Sequence, residues 1–158
     1  MDGRYEIGRE HIRALAIECH ALDRQFDKLF NQAAICGASE RTYRTYNRLL
    51  SIALLNLAIS IRVSLASEVE YNARGIVGPA VLVLKGRPVH KDGSSIKDVC
   101  DKLIHADRIY KHLEAGVQGA GCELSGIHRG QRWTLGLGVQ IFCEYVLQWL
   151  DTLEETGA

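Results

Sequence analysis

The sequence predicts a mainly α-helical domain over residues 1–158: a bundle of about four helices with a small antiparallel β-meander, at about 107–132, inserted before the C-terminal helix. Three observations carry this. Apolar residues recur at alternating spacings of three and four in four segments, the period of one helix face. Between residues 108 and 128 the period drops to two, as in half-buried strands. The length is that of one domain, and no repeat, low-complexity tract or linker divides it.

The first helix is marked by Ile12, Leu15, Cys19, Leu22, Phe26, Leu29 and Ala33, and Gly37 stops it. Ser39 is placed to cap the second helix, so the two are joined by a short turn and pack antiparallel. That second helix is expected from near Glu40 to Ala73, ending at Gly75. Its middle, LLSIALLNLAISIRVSLA, is apolar almost all round and reaches the length of a membrane span. Asn56, Arg62 and the interspersed serines argue for a central, nearly surrounded core helix instead.

Glycines, prolines and a β-branched run then change the texture, and Val81 to Leu84 reads as a short strand. Ser95 and Asp98 form a variant of the capping box at the start of a short helix ending near His105. The buried stripe of that helix is Ile96, Val99, Cys100, Leu103 and Ile104. The meander follows. Ile109, Lys111 and Leu113 share one side of its first strand, and Cys122, Leu124 and Gly126 share one side of the next. AGVQGAG and RGQR are its turns. The last helix is expected to carry Leu135, Val139, Phe142, Val146, Leu150 and Leu153, with Gly136 and Gly138 in a weak first turn.

Composition narrows the function. Nineteen basic residues balance nineteen acidic ones, so no global field draws the chain to nucleic acid or an anionic membrane. The five cysteines are odd in number and form no CxxC pair, and the amino terminus has no apolar signal core, which points to a reduced, cytoplasmic protein. Cys19, Cys100 and Cys143 fall on apolar helix faces as small buried hydrophobes. Phosphate-loop, dinucleotide, zincin and nucleophile-elbow patterns are absent, and the six histidines are scattered, so no cofactor and no metal is expected.

Two features remain as candidate sites. Asp101 and His105 stand at i and i+4 on one helix face, where a carboxylate can hold an imidazole as a general acid/base. At a helix end, His105 equally suits a structural role against the free carbonyls. Arg62, inside the apolar helix, needs a carboxylate partner, and Glu18, Asp23, Asp101 and Glu144 are the candidates. With Asp101 as partner, Arg62, Asp101 and His105 would form one cluster. The second feature is ERTYRTYNR, where Arg41, Arg44 and Arg48 make a basic stripe with Tyr43 and Tyr46 interleaved, a pattern suited to phosphate contact and base stacking in RNA. A solvated face or a protein interface fits it as well.

The helical plan and the segment CDKLIHA resemble the HEPN (higher eukaryote and prokaryote nucleotide-binding) superfamily. The resemblance implies a helical bundle, commonly dimeric, often a metal-independent RNase of toxin–antitoxin or antiviral defence systems. The family's motif is an arginine, a polar residue, three further residues and a histidine; Asp101 takes the polar position and His105 the histidine. Cys100 stands where the arginine belongs, and a cysteine cannot place a scissile phosphate. The C-terminal stretch from Leu124 to Asp151 is similar to small uncharacterised bacterial and phage-type proteins. The expectation is a non-catalytic HEPN-like interaction or regulatory module, self-associating as a homodimer or bound to a protein partner. The alternatives are a metal-independent RNase using Asp101 and His105, with Arg62 in support, and a phage-encoded inhibitor of a host protein.

Overall fold

The computed structural model describes residues 8–31, 39–67, 77–78, 80–84, 87–90, 94–112 and 121–155. Ala33, Cys36, Gly37, Leu113, the AGVQGAG turn as far as Ala120 and the expected end of the second helix at Ala73 to Gly75 lie outside them.

Four helices form the frame, and the sheet draws its strands from the segments on either side of the third helix. Helix α1 spans Arg9–Phe26 and runs into a π-helical turn at Asp27–Asn31. Helix α2 spans Glu40–Ser67, α3 Ile96–His105 and α4 Val139–Glu155. The strands are β1 (Val77–Gly78), β2 (Ala80–Leu84), β3 (Arg87–His90), β4 (Ser94–Ser95), β5 (Arg108–Lys111), β6 (Cys122–His128) and β7 (Gln131–Leu137).

Local signals set the starts of two helices. The Ser39 hydroxyl accepts the Thr42 amide at 3.2 Å and caps α2. At α3 the capping box is complete: Asp98 N donates to Ser95 Oγ at 3.1 Å, and Ser95 N donates to Asp98 Oδ2 at 3.2 Å. The stripe Ile96, Val99, Cys100 and Leu103 is buried as the spacing predicts, and Ile104 packs beside it.

The meander β5–β6–β7 precedes α4 as expected, antiparallel throughout. The Arg129–Gly130 turn that joins β6 to β7 puts both residues at positive φ, 49° and 75°. The sheet is larger than the meander. Strand β2 pairs antiparallel with β7, so the order is β3-β2-β7-β6-β5, and β1 and β4 form a separate two-residue ladder. The last helix also starts later than the spacing implied. Leu135 and Gly136 belong to β7, where Trp133, Leu135 and Leu137 alternate inward with period two, and α4 begins only after Gly138. Gly126 is where a small residue is required: a Cβ there would lie 2.6 Å from the buried Trp133 ring across the β6–β7 ladder.

The core lies where α1, α2, α3, α4 and the inner face of the sheet meet, with Phe26, Leu54, Leu57, Ile61, Leu103, Leu124, Phe142 and Leu150 fully buried. Helices α1 and α4 run antiparallel, pinned at one end by Arg13, which reaches Asp151 and Glu154 at 2.8 Å each. These two carboxylates raise the guanidinium pKa above its ordinary value.

The expectation of a nearly surrounded α2 is corrected. Over its most apolar window, within Glu40–Ser64, 44% is buried, although length and mean hydropathy (1.2) would suit a membrane crossing. One face packs on α1, α3 and β5. The opposite face leaves Leu49, Ile52, Ile59 and Val63 exposed at 43–52%. The reason is architectural: α1 and the sheet occupy one side of α2, and among the described residues nothing covers the other.

Candidate functional site

Three groups of polar side chains can be built up from these elements. The first is the α2–α3 junction. Arg62 Nε lies 2.7 Å from Asp101 Oδ1, with side chains 33% and 39% exposed, so Asp101 is the partner that Arg62 needed. The other candidates are engaged elsewhere or apart: Asp23 holds Lys111, and Glu144 stands 3.4 Å from His20. His105 does not complete the cluster. It is the last residue of α3, exposed, and among the described residues it is bonded neither to Asp101 nor to another side chain. Beneath the pair, burial raises the Cys100 thiol pKa far above its usual value, reinforced by Asp101 and only partly opposed by Arg62. Cys100 therefore stays a neutral core residue.

The second group is the basic stripe. Arg41, Arg44 and Arg48 are exposed on the opening turns of α2, and Arg44 Nη2 meets Glu40 Oε1 at 2.5 Å. Ser39, Glu40, Arg41 and Arg44 line a surface depression there. The interleaved tyrosines are a correction. Tyr43 and Tyr46 are 7% and 5% exposed, packed tilted against Phe26 and edge-on against Phe30, and their hydroxyls donate to the carbonyls of Lys111 and Leu22. Rings held in the core cannot stack on bases. Helical spacing gave the signal: Tyr43, Tyr46, Leu50, Leu54, Leu57 and Ile61 form one buried stripe.

The third group was not singled out from the sequence as a site. Lys111 is 1% exposed, and its ammonium lies 2.7 Å from Asp23 Oδ1 and 4.5 Å from the Phe26 ring centroid. Gln140 Nε2 donates to the other Asp23 oxygen at 3.0 Å. The Lys111 amide donates to Asn47 Oδ1 at 2.7 Å, its carbonyl accepts from Tyr43, and Ser51 Oγ donates to the Ile109 carbonyl at 3.0 Å. Three side chains of α2 thus occupy backbone groups along the outer side of β5, an edge strand that would otherwise stand open. One buried pair ties α1 and β5 together, and Gln140 adds α4. The ammonium is closed off from solvent and donates to the Asp23 carboxylate and backbone carbonyl over the Phe26 ring, so the arrangement does structural rather than chemical work. The period-two alternation did place Lys111 on the side of Ile109.

The described cysteines, Cys19, Cys100, Cys122 and Cys143, are free and buried. Cys143 contacts Cys19 across the α1–α4 interface, and that contact together with burial raises its pKa. Burial also pushes the Cys122 thiol up to about 12. Cys100, Cys122 and Cys143 therefore stay neutral thiols at neutral pH.

Comparisons with protein-family models, curated proteins and solved structures find no match to this chain.

Proposed function

We propose that the protein is a non-catalytic interaction module, HEPN-like in its plan, working in the cytoplasm as a regulatory subunit of a defence or toxin–antitoxin assembly. The observation that carries the interaction role is the exposed aliphatic face of α2. Leu49, Ile52, Ile59 and Val63 are each about half exposed along one side of a helix whose other side is core. Four large aliphatic side chains aligned on one exposed helix face, interrupted by Asn56, mark it as a candidate binding surface. The candidate acid/base pair supports the non-catalytic part: Asp101 is held by Arg62, and among the described residues no carboxylate orients His105.

The RNase reading keeps one observation in its favour. Arg62 brings a guanidinium to Asp101, next to the position where Cys100 departs from the motif. Incubating the purified protein with single-stranded RNA in EDTA separates the two. The interaction module leaves the RNA intact. Cleavage that disappears in His105→Ala would overturn it in favour of the nuclease, with Arg41, Arg44 and Arg48 as the track for the strand.

A further inference from the structure

The exposed side of α2 has the spacing of a coiled-coil seam. Leu49, Ile52, Asn56, Ile59 and Val63 follow one another at steps of three, four, three and four, and all five are exposed. At about 100° per residue they fall within an arc of about 80° and span about 21 Å along the axis. A seam this narrow suits one straight helix laid alongside it at a shallow angle. A sheet or a lipid surface would draw on a wider apolar face.

The two flanks of the seam differ. On one side stand Tyr46, Ala53 and Ser60, seven residues apart and all buried against the rest of the molecule. On the other stand Arg41, Arg48, Leu55 and Arg62, also seven apart. Arg62 is held by Asp101. Arg41 and Arg48 are exposed, and among the described residues neither is paired with a carboxylate, since Glu40 is taken by Arg44. A helix lying on the seam therefore meets a line of cations along its open side, and in seams of this kind the flanking charges choose the partner. A second copy of this chain is a poor match. Antiparallel, it would set one arginine line against the other; parallel, it would turn the arginines toward the buried flank of its neighbour.

We infer that the α2 seam binds an amphipathic helix of a different protein, with apolar residues at alternating steps of three and four, a hydrogen-bonding side chain opposite Asn56, and carboxylates along the edge that meets Arg41 and Arg48. This rests on reading the stripe as a binding surface and names its occupant. Leu49, Ile52, Ile59 and Val63 supply the contact that is taken out of water. Asn56, whose amide is both donor and acceptor, is the one polar residue of the seam and fixes register at some cost in affinity. Arg41 and Arg48 attract an acidic edge and repel a basic one, which is a selection between otherwise similar helices. About two heptads of the partner cover Leu49 to Val63, and a third carries its carboxylates alongside Arg41.

Fluorescence anisotropy with two labelled three-heptad peptides tests this. Both carry leucine or isoleucine at the seam positions and one central asparagine; one has glutamate along both flanks, the other lysine. The wild-type protein, at up to about 200 µM, should bind the glutamate peptide about tenfold or more tightly than the lysine peptide. Ile59→Asp should weaken the glutamate peptide by about tenfold or more, with circular dichroism and melting temperature reporting that the variant still folds. Arg48→Glu, likewise folded, should abolish the preference for glutamate. Equal binding of both peptides that is lost in Ile59→Asp overturns the acidic partner but leaves α2 as the binding face. So does a wild-type dimer in sedimentation velocity that binds neither peptide and dissociates in Ile59→Asp. Glutamate-peptide binding indifferent to Ile59→Asp overturns the α2 face itself. A monomer that binds neither peptide at about 200 µM overturns the proposal.

Discussion

Replacing Lys111 by methionine removes the ammonium while keeping most of the stem that packs over Phe26. The Asp23 carboxylate is then left 6% exposed with the Gln140 amide as its remaining side-chain donor. Deleting one partner of a buried pair costs about 3–5 kcal/mol, because the surviving charge has neither water nor a counter-ion. Asp23→Leu strands the ammonium in the same way. The double variant strands neither, so its cost should fall well below the sum and leave a coupling energy of about 3 kcal/mol. With a urea slope of about 2 kcal/mol/M, each single variant should lower the unfolding midpoint by about 2 M, and the double variant by much less. Equilibrium urea unfolding followed by circular dichroism measures all four proteins. Single variants that each lose less than about 1 kcal/mol and add without coupling would refute the buried pair as the tie between α1 and β5.

Gly126→Ala should drive the Trp133 ring out of its site, at a cost of about 1–3 kcal/mol, visible as a changed near-ultraviolet circular dichroism spectrum. Arg62→Ala should cost no more than about 1 kcal/mol in chemical unfolding, since the pair with Asp101 is one-third exposed; a loss of 3 kcal/mol would mean the guanidinium is buried. Ser95→Ala should lower stability by about 1 kcal/mol through loss of the α3 capping box, and Ser95→Asp should recover part of it. The Cys122 thiol contributes to the alkaline limb of stability. Burial holds Cys122 protonated up to about pH 12, while an unfolded thiol ionises near pH 8.5–9, so the folded state binds more protons between these values. Stability should therefore be unaffected by this thiol below about pH 8 and fall as pH rises from about 9 toward 12; in a Cys36→Ser background, Ellman's reagent should react only as the protein unfolds.

The sequence was most informative where structure is local. The face of α3, the Ser39 cap, the Ser95–Asp98 box and the β6–β7 turn are each written within a few consecutive residues and are found where the spacing put them, whereas on α1 Ile12, Cys19 and Phe26 are buried as expected but Leu29 is 43% exposed in the π-helical turn, and Ala16 and Asp23 take buried positions beside the expected stripe. Long-range features were less legible. The pairing of β2 with β7 joins segments some fifty residues apart, which no periodicity encodes. Lys111 fell on the inward side of its strand by alternation, but its counter-ion is 88 residues away on α1. Tyr43 and Tyr46 were misread because arginines stand between them; the same helix turns the arginines to solvent and the rings to Phe26 and Phe30. The start of α4 was placed too early because Leu135 fits both a helical stripe and the period-two run of Trp133, Leu135 and Leu137, and pairing with β6 and β2 decides for the strand. For the candidate site, the Arg62–Asp101 contact was among the partners that the lone buried-helix arginine allowed, whereas the isolation of His105 follows from where α3 ends.

The most direct test of the α2 face as a binding surface is methyl-resolved NMR of the wild-type protein titrated with the glutamate-flanked peptide. The signals of Leu49, Ile52, Ile59 and Val63 should shift together as peptide is added, with the core methyls of Leu54, Leu57 and Ile61 as the unmoved internal standard. Stripe signals that stay fixed while other surface methyls, such as Ile17 or Ile141, move would contradict the account.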